Sequence, residues 1–453
     1  MASGLDGQAL PRPNVGDELE LRIDSLAFGG AGVARHEGYV VFVEGTFPGD
    51  RVRARIHHRK RHFAQARAVE LIEPGPDRVP ARADHPGAPW QELAYERQLE
   101  IKQAQVEDAL RRIGHLDGFT LEPIVPAQQP WRYRNKLEYS FGADEHGELT
   151  LGFHAPGSWE RIVALSDCLL ASEAGNAARQ AALDWCRAQG LAAFDRREHT
   201  GFLRNLIVRE GRRTGELQVR LVTAAGELDT ASLAEALPVQ SLLWTRTDAL
   251  AETSHGGETQ LIAGTTKINE EICGLRVAIS PDAFFQTNTE MAERLYTRAA
   301  QDADLHGWER VFDLFCGTGT IGLSLAGRAS KVHGLDIVPE AVADAIANAS
   351  ENQIANASFY AGDVRLAMRE LTELAGRPDV LVVDPPRAGL SQKVVRRIIE
   401  AAPKRIVYVS CNPTTLAPNA AQLTEAGWRL DHVTPVDMFP QTPHIECVAV
   451  LAR

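Results

Sequence analysis

The sequence predicts an α/β protein: an N-terminal OB-like β-barrel, a central α+β domain and a C-terminal Rossmann-like, doubly wound parallel sheet. Three observations predict it. Short strand-like runs broken by glycine- and proline-rich turns fill residues 15–73. From about residue 305, short apolar runs alternate strictly with helical stretches rich in Ala, Leu and Glu, the pattern of parallel βαβ units. Gly317, Gly319 and Gly322 form a GxGxxG loop where the first of those runs turns into a helix. A chain of 453 residues also has room for three domains at about 150 residues each.

The elements follow in order. ELELRIDSLA, GYVVFVEG, DRVRARIHH and FAQARAVELIE read as strands rich in Val, Ile and Phe, separated by Gly29–Gly32, Glu37-Gly38 and Pro48-Gly49-Asp50. Several short strands at regular spacing suggest a small closed barrel. Pro74, Pro76 and Pro80 mark a linker, and residues 91–113 carry Leu93, Leu99, Val106, Leu110 and Ile113 at helical spacing. In the middle, LEYSFG, ELTLGFH, RNLIVREG and GELQVRLVT read as antiparallel strands beside a helix at about 172–189. RVFDLF, KVHGLD, ASFYAGD, DVLVVD and RIVYVS are then the parallel strands. WRLDHVTPVDMF and IECVAVLA, joined across Pro440–His444, form a closing hairpin whose last strand runs antiparallel.

Composition excludes several classes. A 44% apolar and 24% charged chain is neither disordered nor fibrous. Six cysteines with no CxxC pair fit neither a zinc knuckle nor a disulfide framework. No apolar run reaches the ~18 residues of a membrane span. The N-terminus lacks the basic-then-apolar pattern of a signal peptide, so a cytoplasmic setting is expected. The formal charge of −12 argues against bulk electrostatic capture of nucleic acid. Two local clusters stand out: Arg51, Arg53, Arg55, Arg59, Lys60, Arg61 and Arg67, and Trp131-Arg132-Tyr133-Arg134-Asn135-Lys136. The plainer reading of both is a solvated strand face.

The glycine loop, FDLFCGTGTIG, with Asp336 about 20 residues beyond Gly317, suits either a dinucleotide or S-adenosylmethionine. Three features favour the second: Asp313 within the first strand, Phe315 at its end, and Asp363 ending the third strand. Phe315 can pack against an adenine or a methionine tail, Asp336 can accept from ribose hydroxyls, and Asp363 can face an adenine amino group. Gly317 and Gly319 allow close backbone approach.

Ligands of open α/β sheets bind at the carboxyl ends of the strands. There Val383-Asp384-Pro385-Pro386 holds a carboxylate able to accept from a ring N–H, with the prolines stiffening its loop. Cys411, in Ser410-Cys411-Asn412-Pro413, is the nucleophile candidate; Cys316, in the glycine loop, suits packing better. An antiparallel last strand delivers Glu446 to the same edge. A carboxylate entering the apolar run Cys447–Leu451 has a raised pKa, which suits a general base.

At this point the residues resemble the RNA 5-methyluridine methyltransferases, through FDLFCGTGTIGL, VDPPRAGL, YVSCNPTTLA, FPQTPHIECVAVL and PDAFFQTNTEMAERLY. VARHEGYVVFVEGTFPGDRVRARI is similar to a TRAM domain, and WRYRNKLEYS and GFLRNLIVRE match more loosely. The resemblance implies a TRAM barrel over 12–73, a central RNA-recognition domain over 74–280 and a class I methyltransferase domain over 281–453. It implies Cys411 as nucleophile, Glu446 as base, and Gln286, Phe315, Thr320, Asp336, Asp363 and Asp384 as cofactor-pocket positions, with Asp384 and Gln286 also near the target base. It implies S-adenosylmethionine as methyl donor and RNA, rather than DNA or a membrane, as partner, with large-subunit ribosomal RNA ahead of the tRNA T-loop and a monomer ahead of an oligomer. The competing readings are an NAD-dependent dehydrogenase, amino-group methylation and a silent RNA-binding module. Many family members hold an iron–sulfur cluster on three cysteines before the motif matching WQELAYERQLEIK and a fourth further on. Here that segment has no Cys and only Cys168 matches the fourth position, so no iron–sulfur centre is expected.

Overall fold

Alternation of Val, Ile and Ala with charged residues makes the first strands two-faced. In the computed structural model, which describes residues 12–249 and 256–453, they form a six-stranded sheet ordered β1-β5-β6-β4-β3-β2. Its strands are β1 (Glu18–Arg22), β2 (Ser25–Leu26), β3 (Gly32–His36), β4 (Tyr39–Glu44), β5 (Arg51–Arg59) and β6 (Phe63–Glu73). The sheet curls round because Ile23 N–H donates to Asp50 on one side (2.9 Å) while Asp24 N–H donates to Val33 on the other (2.8 Å). Leu21, Val41, Val43, Val52 and Ile56 fill its interior. The strand β3 was not read in the sequence, where Gly29–Gly32 served only as a turn. The first eleven residues, read above for a leader, and residues 250–255 lie outside the described chain.

The proline-marked linker is not a free tether. Buried Asp50 accepts from Gly75 N–H (2.8 Å) and from the Arg78 guanidinium (3.0 Å). The barrel, residues 88–105 and residues 440–444 make one compact unit, and residues 84–87, 106–439 and 445–453 make the other. Helix α1 (Tyr95–Asp108), extended by a wider turn at Ala109–Ile113, runs from the first into the second.

The second unit contains three sheets. After the short β7 (Thr120–Leu121) comes a seven-stranded central sheet, ordered β10-β9-β8-β11-β12-β13-β14. These are β8 (Lys136–Ala143), β9 (Leu149–His154), β10 (Ile162–Ala164), β11 (Leu203–Glu210), β12 (Leu217–Thr223), β13 (Ser241–Arg246) and β14 (Glu258–Gly264). Helices α2 (Glu173–Ala188) and α3 (Thr230–Ala236) belong to this region, and α2 starts where the Ser172 hydroxyl accepts from Gly175 N–H. The hairpin β15 (Ile268–Ile272) and β16 (Leu275–Ile279) leads to α4 (Thr289–Asp302).

The third sheet carries the parallel pattern: β17 (Arg310–Leu314), β18 (Lys331–Asp336), β19 (Ala357–Ala361), β20 (Val380–Val383), β21 (Arg405–Ser410), β22 (Arg429–Val436) and β23 (Glu446–Ala452). Helices α5 (Thr320–Ala326), α6 (Pro339–Glu351), α7 (Val364–Ala375), α8 (Gln392–Ala401) and α9 (Pro413–Glu425) alternate with them. The order is β19-β18-β17-β20-β21-β23-β22-β7. As the sequence predicts, β23 runs antiparallel to both neighbours. It also inserts between β21 and β22, which brings its first residue beside the end of β21. Both faces of the central strands β17, β20, β21 and β23 are buried against apolar clusters, as expected for near-continuous Val/Ile/Leu strands. Among the described residues no helix is long and apolar enough to cross a membrane.

Candidate active site

Register places the predicted residues on one edge. Leu314 pairs with Leu335 and Val383, Val383 with Tyr408, and Ser410 with Cys447. Phe315, Asp336, Asp384, Cys411 and Glu446 therefore lie at or next to the carboxyl ends of adjacent parallel strands and the start of β23. Cys411 follows Ser410 and Glu446 precedes Cys447, so these two stand opposite each other where β21 and β23 meet.

The cofactor side is a set of glycine turns tied down by carboxylates. Phe315 leaves the strand at φ 62°, Gly317 sits at φ 52° and Gly319 at φ 79°, all in the left-handed region that costs a side-chain-bearing residue about 1–2 kcal/mol. That strain falls on Phe315 alone, whose N–H donates to the Leu335 carbonyl (2.8 Å). Asp336 accepts from Gly317 N–H through one oxygen and from Val338 N–H through the other, both at 2.9 Å. Fully buried Asp313 accepts from Gly322 N–H (2.9 Å), and burial pushes its carboxyl up to about 7. Asp313 thus braces the loop from below. A Cβ on Gly317 would meet nothing within 4 Å, whereas one on Gly319 would lie 2.9 Å from Ala345 and Phe359. The first glycine leaves an open cradle and the second allows tight packing. A cradle flanked by an aromatic ring and a carboxylate fits an adenosine with a charged tail.

Two cofactor candidates are less open than the sequence suggests. Asp363 does not end the third strand; β19 stops at Ala361 and Asp363 caps α7. Its carboxylate accepts from Arg365 N–H (2.8 Å) and pairs with the Arg365 guanidinium, which holds it below the usual carboxylate range. Thr320 is buried at the start of α5, its hydroxyl 3.2 Å from that of Thr318. Cys316 is buried and burial drives its thiol far up, in keeping with packing. Gln286, 5% exposed, lies in the loop before α4.

The reaction side is different in kind. Burial alone pushes the Asp384 carboxyl from 3.8 to about 7. Glu446 is 3% exposed, and its Oε2 has no hydrogen-bond partner. Burial first, then the Asp384 charge, push it well above the usual range, against the pull of Arg387. Cys411 is half-buried, and its thiol is pushed up to about 12 by burial, then by Glu446 and Asp384, again opposed by Arg387. Sulfur, two carboxylates and one guanidinium therefore share a local field. The nucleophile loop is stapled to the Asp-Pro-Pro loop: Asn412 caps α9 and its amide donates to the Arg387 carbonyl (3.0 Å), as does the Thr415 hydroxyl (3.3 Å). Arg387 and Asn412 stand inside two quoted motifs, yet neither was singled out, because an exposed Arg and an Asn-Pro step have common structural uses.

The charged clusters resolve in opposite ways. On the barrel, Arg51, Arg53, Arg55 and Arg67 pair with glutamates on the outer face, as the plainer reading holds. Residues 131–136 are not a solvated face. Tyr133 and Asn135 are buried, Arg132 pairs with Asp167 and Lys136 with Glu138. Cys168 lies 3.4 Å from the Nε2 of His85, both buried, and burial lowers His85 to about 4. A cluster needs four thiolates, and the described residues hold no group of three or more His, Cys, Asp or Glu placed for a metal ion.

Comparison with known proteins identifies the family. The tRNA (Uracil-5-)-methyltransferase family profile matches residues 259–453 and the TRAM domain profile matches residues 12–69. An uncharacterized RNA methyltransferase of Halalkalibacterium halodurans is 38% identical over 97% of each chain. One from Bacteroides thetaiotaomicron is 38% identical over 94% of this chain and 99% of its own. The crystal structure of the Pyrococcus abyssi tRNA (uracil-54, C5)-methyltransferase with S-adenosyl-L-homocysteine superposes with a TM-score of 0.79. That protein is 28% identical over 96% of this chain and 99% of its own.

Proposed function

This chain belongs to the RNA uracil-5-methyltransferase family of S-adenosylmethionine-dependent enzymes, and from that premise we propose that it methylates carbon-5 of one uridine in structured RNA through a covalent bond from Cys411 to carbon-6. The observation that carries this reading is the orphaned, buried Glu446 oxygen facing the Cys411 position across β21 and β23.

Carbon-5 of uracil is a poor nucleophile. Addition of the Cys411 thiolate to carbon-6 moves the ring electrons toward O4 and carbon-5, making carbon-5 reactive. When bound, S-adenosylmethionine supplies the methyl group, which carbon-5 takes as the sulfonium carbon–sulfur bond breaks. Glu446 removes the carbon-5 proton, the ring double bond re-forms, and the carbon-6–sulfur bond breaks to release the thiolate. Asp384 accepts from the ring N–H and orients the base. Gln286, Phe315, Gly317, Gly319, Thr320, Asp336 and Asp363 line the cofactor pocket, with Asp336 on the ribose hydroxyls.

A uridine inside folded RNA must be splayed out at a cost of a few kcal/mol. In this reading the TRAM barrel supplies phosphate contacts that offset it, and the protein works as a monomer. Large-subunit ribosomal RNA is the first target. The T-loop of tRNA is the second, favoured by the full-length likeness to the Pyrococcus abyssi enzyme. Mass spectrometry of rRNA and tRNA from a deletion strain separates them: one 5-methyluridine should vanish from one pool. RNA containing 5-fluorouridine should be trapped covalently by the wild type. No loss in either pool, together with no trapping, would overturn the reading.

A further inference from the structure

Two motifs of the central sheet, WRYRNKLEYS and GFLRNLIVRE, have no part in the chemistry above, yet their polar side chains converge on the loop that carries Gln286. Arg209, on β11, is 2% exposed and makes no direct ion pair among the described residues, although Asp282, Glu138 and Asp344 act on it through their charge. Its guanidinium donates instead to the carbonyls of Ala283 (2.9 Å) and Ser280 (3.4 Å). Arg220, on β12 and 1% exposed, reaches Asp282 (2.6 Å). Asn135 accepts nothing from that loop but grips it three times: its backbone N–H donates to Thr287 O (2.8 Å), and its amide to Gln286 O and the Thr289 hydroxyl (both 2.9 Å). Buried Glu270 accepts a hydrogen bond from the Thr289 hydroxyl (2.7 Å).

Burying a guanidinium on backbone carbonyls alone is expensive. A sheet needing only packing would place an apolar residue there, as β11 does on the same face at Ile207. The loop so held presents Phe284, 70% exposed, and buried Gln286.

We propose that Asn135, Arg209 and Arg220 are positioning residues for methyl transfer, a clamp by which the central sheet fixes the 280–289 loop and aims Gln286 into the cofactor pocket. The proposal rests on the reading of Gln286 as a pocket residue. The clamp acts through Gln286, so its loss should be felt as cofactor affinity and turnover and not as RNA affinity.

The test is a double-mutant cycle on the full chain. S-adenosylhomocysteine binding is read by calorimetry, turnover under saturating RNA, and RNA affinity by filter binding. Arg209→Met should weaken S-adenosylhomocysteine binding about 10-fold and slow turnover about 10- to 100-fold, with RNA affinity within twofold of wild type. In a Gln286→Ala background Arg209→Met should add little, since coupled residues are non-additive. Arg209→Lys, which keeps a cation and one donor, should recover part of the loss. Additive effects of Arg209→Met and Gln286→Ala would overturn the clamp while leaving the pocket reading intact. Wild-type binding and turnover in Gln286→Ala alone would overturn the pocket reading and the clamp with it. Where Arg209→Met does not fold, Asn135→Ala in the same cycle gives the same outcomes.

Discussion

The two halves of the sheet edge use the same residue type for different ends. On β18 and after β19, Asp336 and Asp363 are held by backbone N–H donors and, for Asp363, by a guanidinium as well. After β20 and at the start of β23, burial raises the Asp384 and Glu446 carboxyls, and the Glu446 Oε2 has no hydrogen-bond partner. A carboxylate held in place by N–H donors is a fixed acceptor. One whose proton affinity is raised by burial is suited to carry a proton. In the proposed reading, strand ends half a sheet apart separate binding from acid–base chemistry, and the difference lies in backbone N–H supply.

The largest effects should come from the reaction half. Cys411→Ala should remove methylation by at least about 10⁴-fold and abolish trapping by 5-fluorouridine RNA, with RNA binding retained; a variant that still methylates would break the comparison. Glu446→Gln should slow product formation about 10²- to 10⁴-fold and let the methylated cysteine adduct accumulate on ordinary RNA, seen as a band shift in denaturing gels. The same change removes a negative neighbour of Cys411, so iodoacetamide should alkylate the free enzyme faster at pH 8.

The binding half should respond differently. Asp336→Asn should weaken S-adenosylhomocysteine binding about 10- to 100-fold by calorimetry, while Cys411 alkylation stays as in wild type. Gly319→Ala should lower Tm clearly, because its Cβ meets Ala345 and Phe359. Gly317→Ala should cost about 1 kcal/mol from backbone strain alone and act chiefly on cofactor affinity. Thermal melts with and without S-adenosylhomocysteine distinguish the two.

The smallest effect is on stability. Unfolded, Asp384 titrates near 3.8; folded, it titrates near 7. Between those values the folded state keeps a proton that the unfolded state has lost. Stability therefore falls as pH rises from about 4 to about 7, and the full penalty stands above that. Asp384→Asn should remove this slope, raising Tm by about 2 °C or more at pH 8 and leaving it unchanged near pH 3.5, while turnover falls. No gain at pH 8 would show that Asp384 is better solvated than its burial indicates.

Much of this edge is legible in the sequence because each strand end is marked locally. Gly317 and Gly319 announce a turn, Pro385 and Pro386 stiffen the step after Asp384, and the short Pro440–His444 connection makes the last strand antiparallel and so delivers Glu446. The state of each carboxylate is not legible. Asp336 and Asp384 look alike as strand-ending acids, and only the surrounding N–H groups separate them. The Asp363 pairing with Arg365 and the interior placement of Tyr133 and Asn135 were equally hidden, since an i+2 Arg or an aromatic–basic run has the same spelling on a surface as in a core.

By itself, then, the amino-acid order determined the α/β class, the βαβ succession, the orientation of the last strand and the residue types at the chemical edge. These depend on periodicity and turn chemistry, which act over a few neighbours. The tertiary structure alone decided which carboxylates meet N–H donors and which are buried without them, that β23 slots between β21 and β22, and that Arg209 and Asn135 reach a loop roughly 70 to 150 residues away in sequence. Solvation and long-range contact depend on the whole packed chain, and no local pattern encodes them.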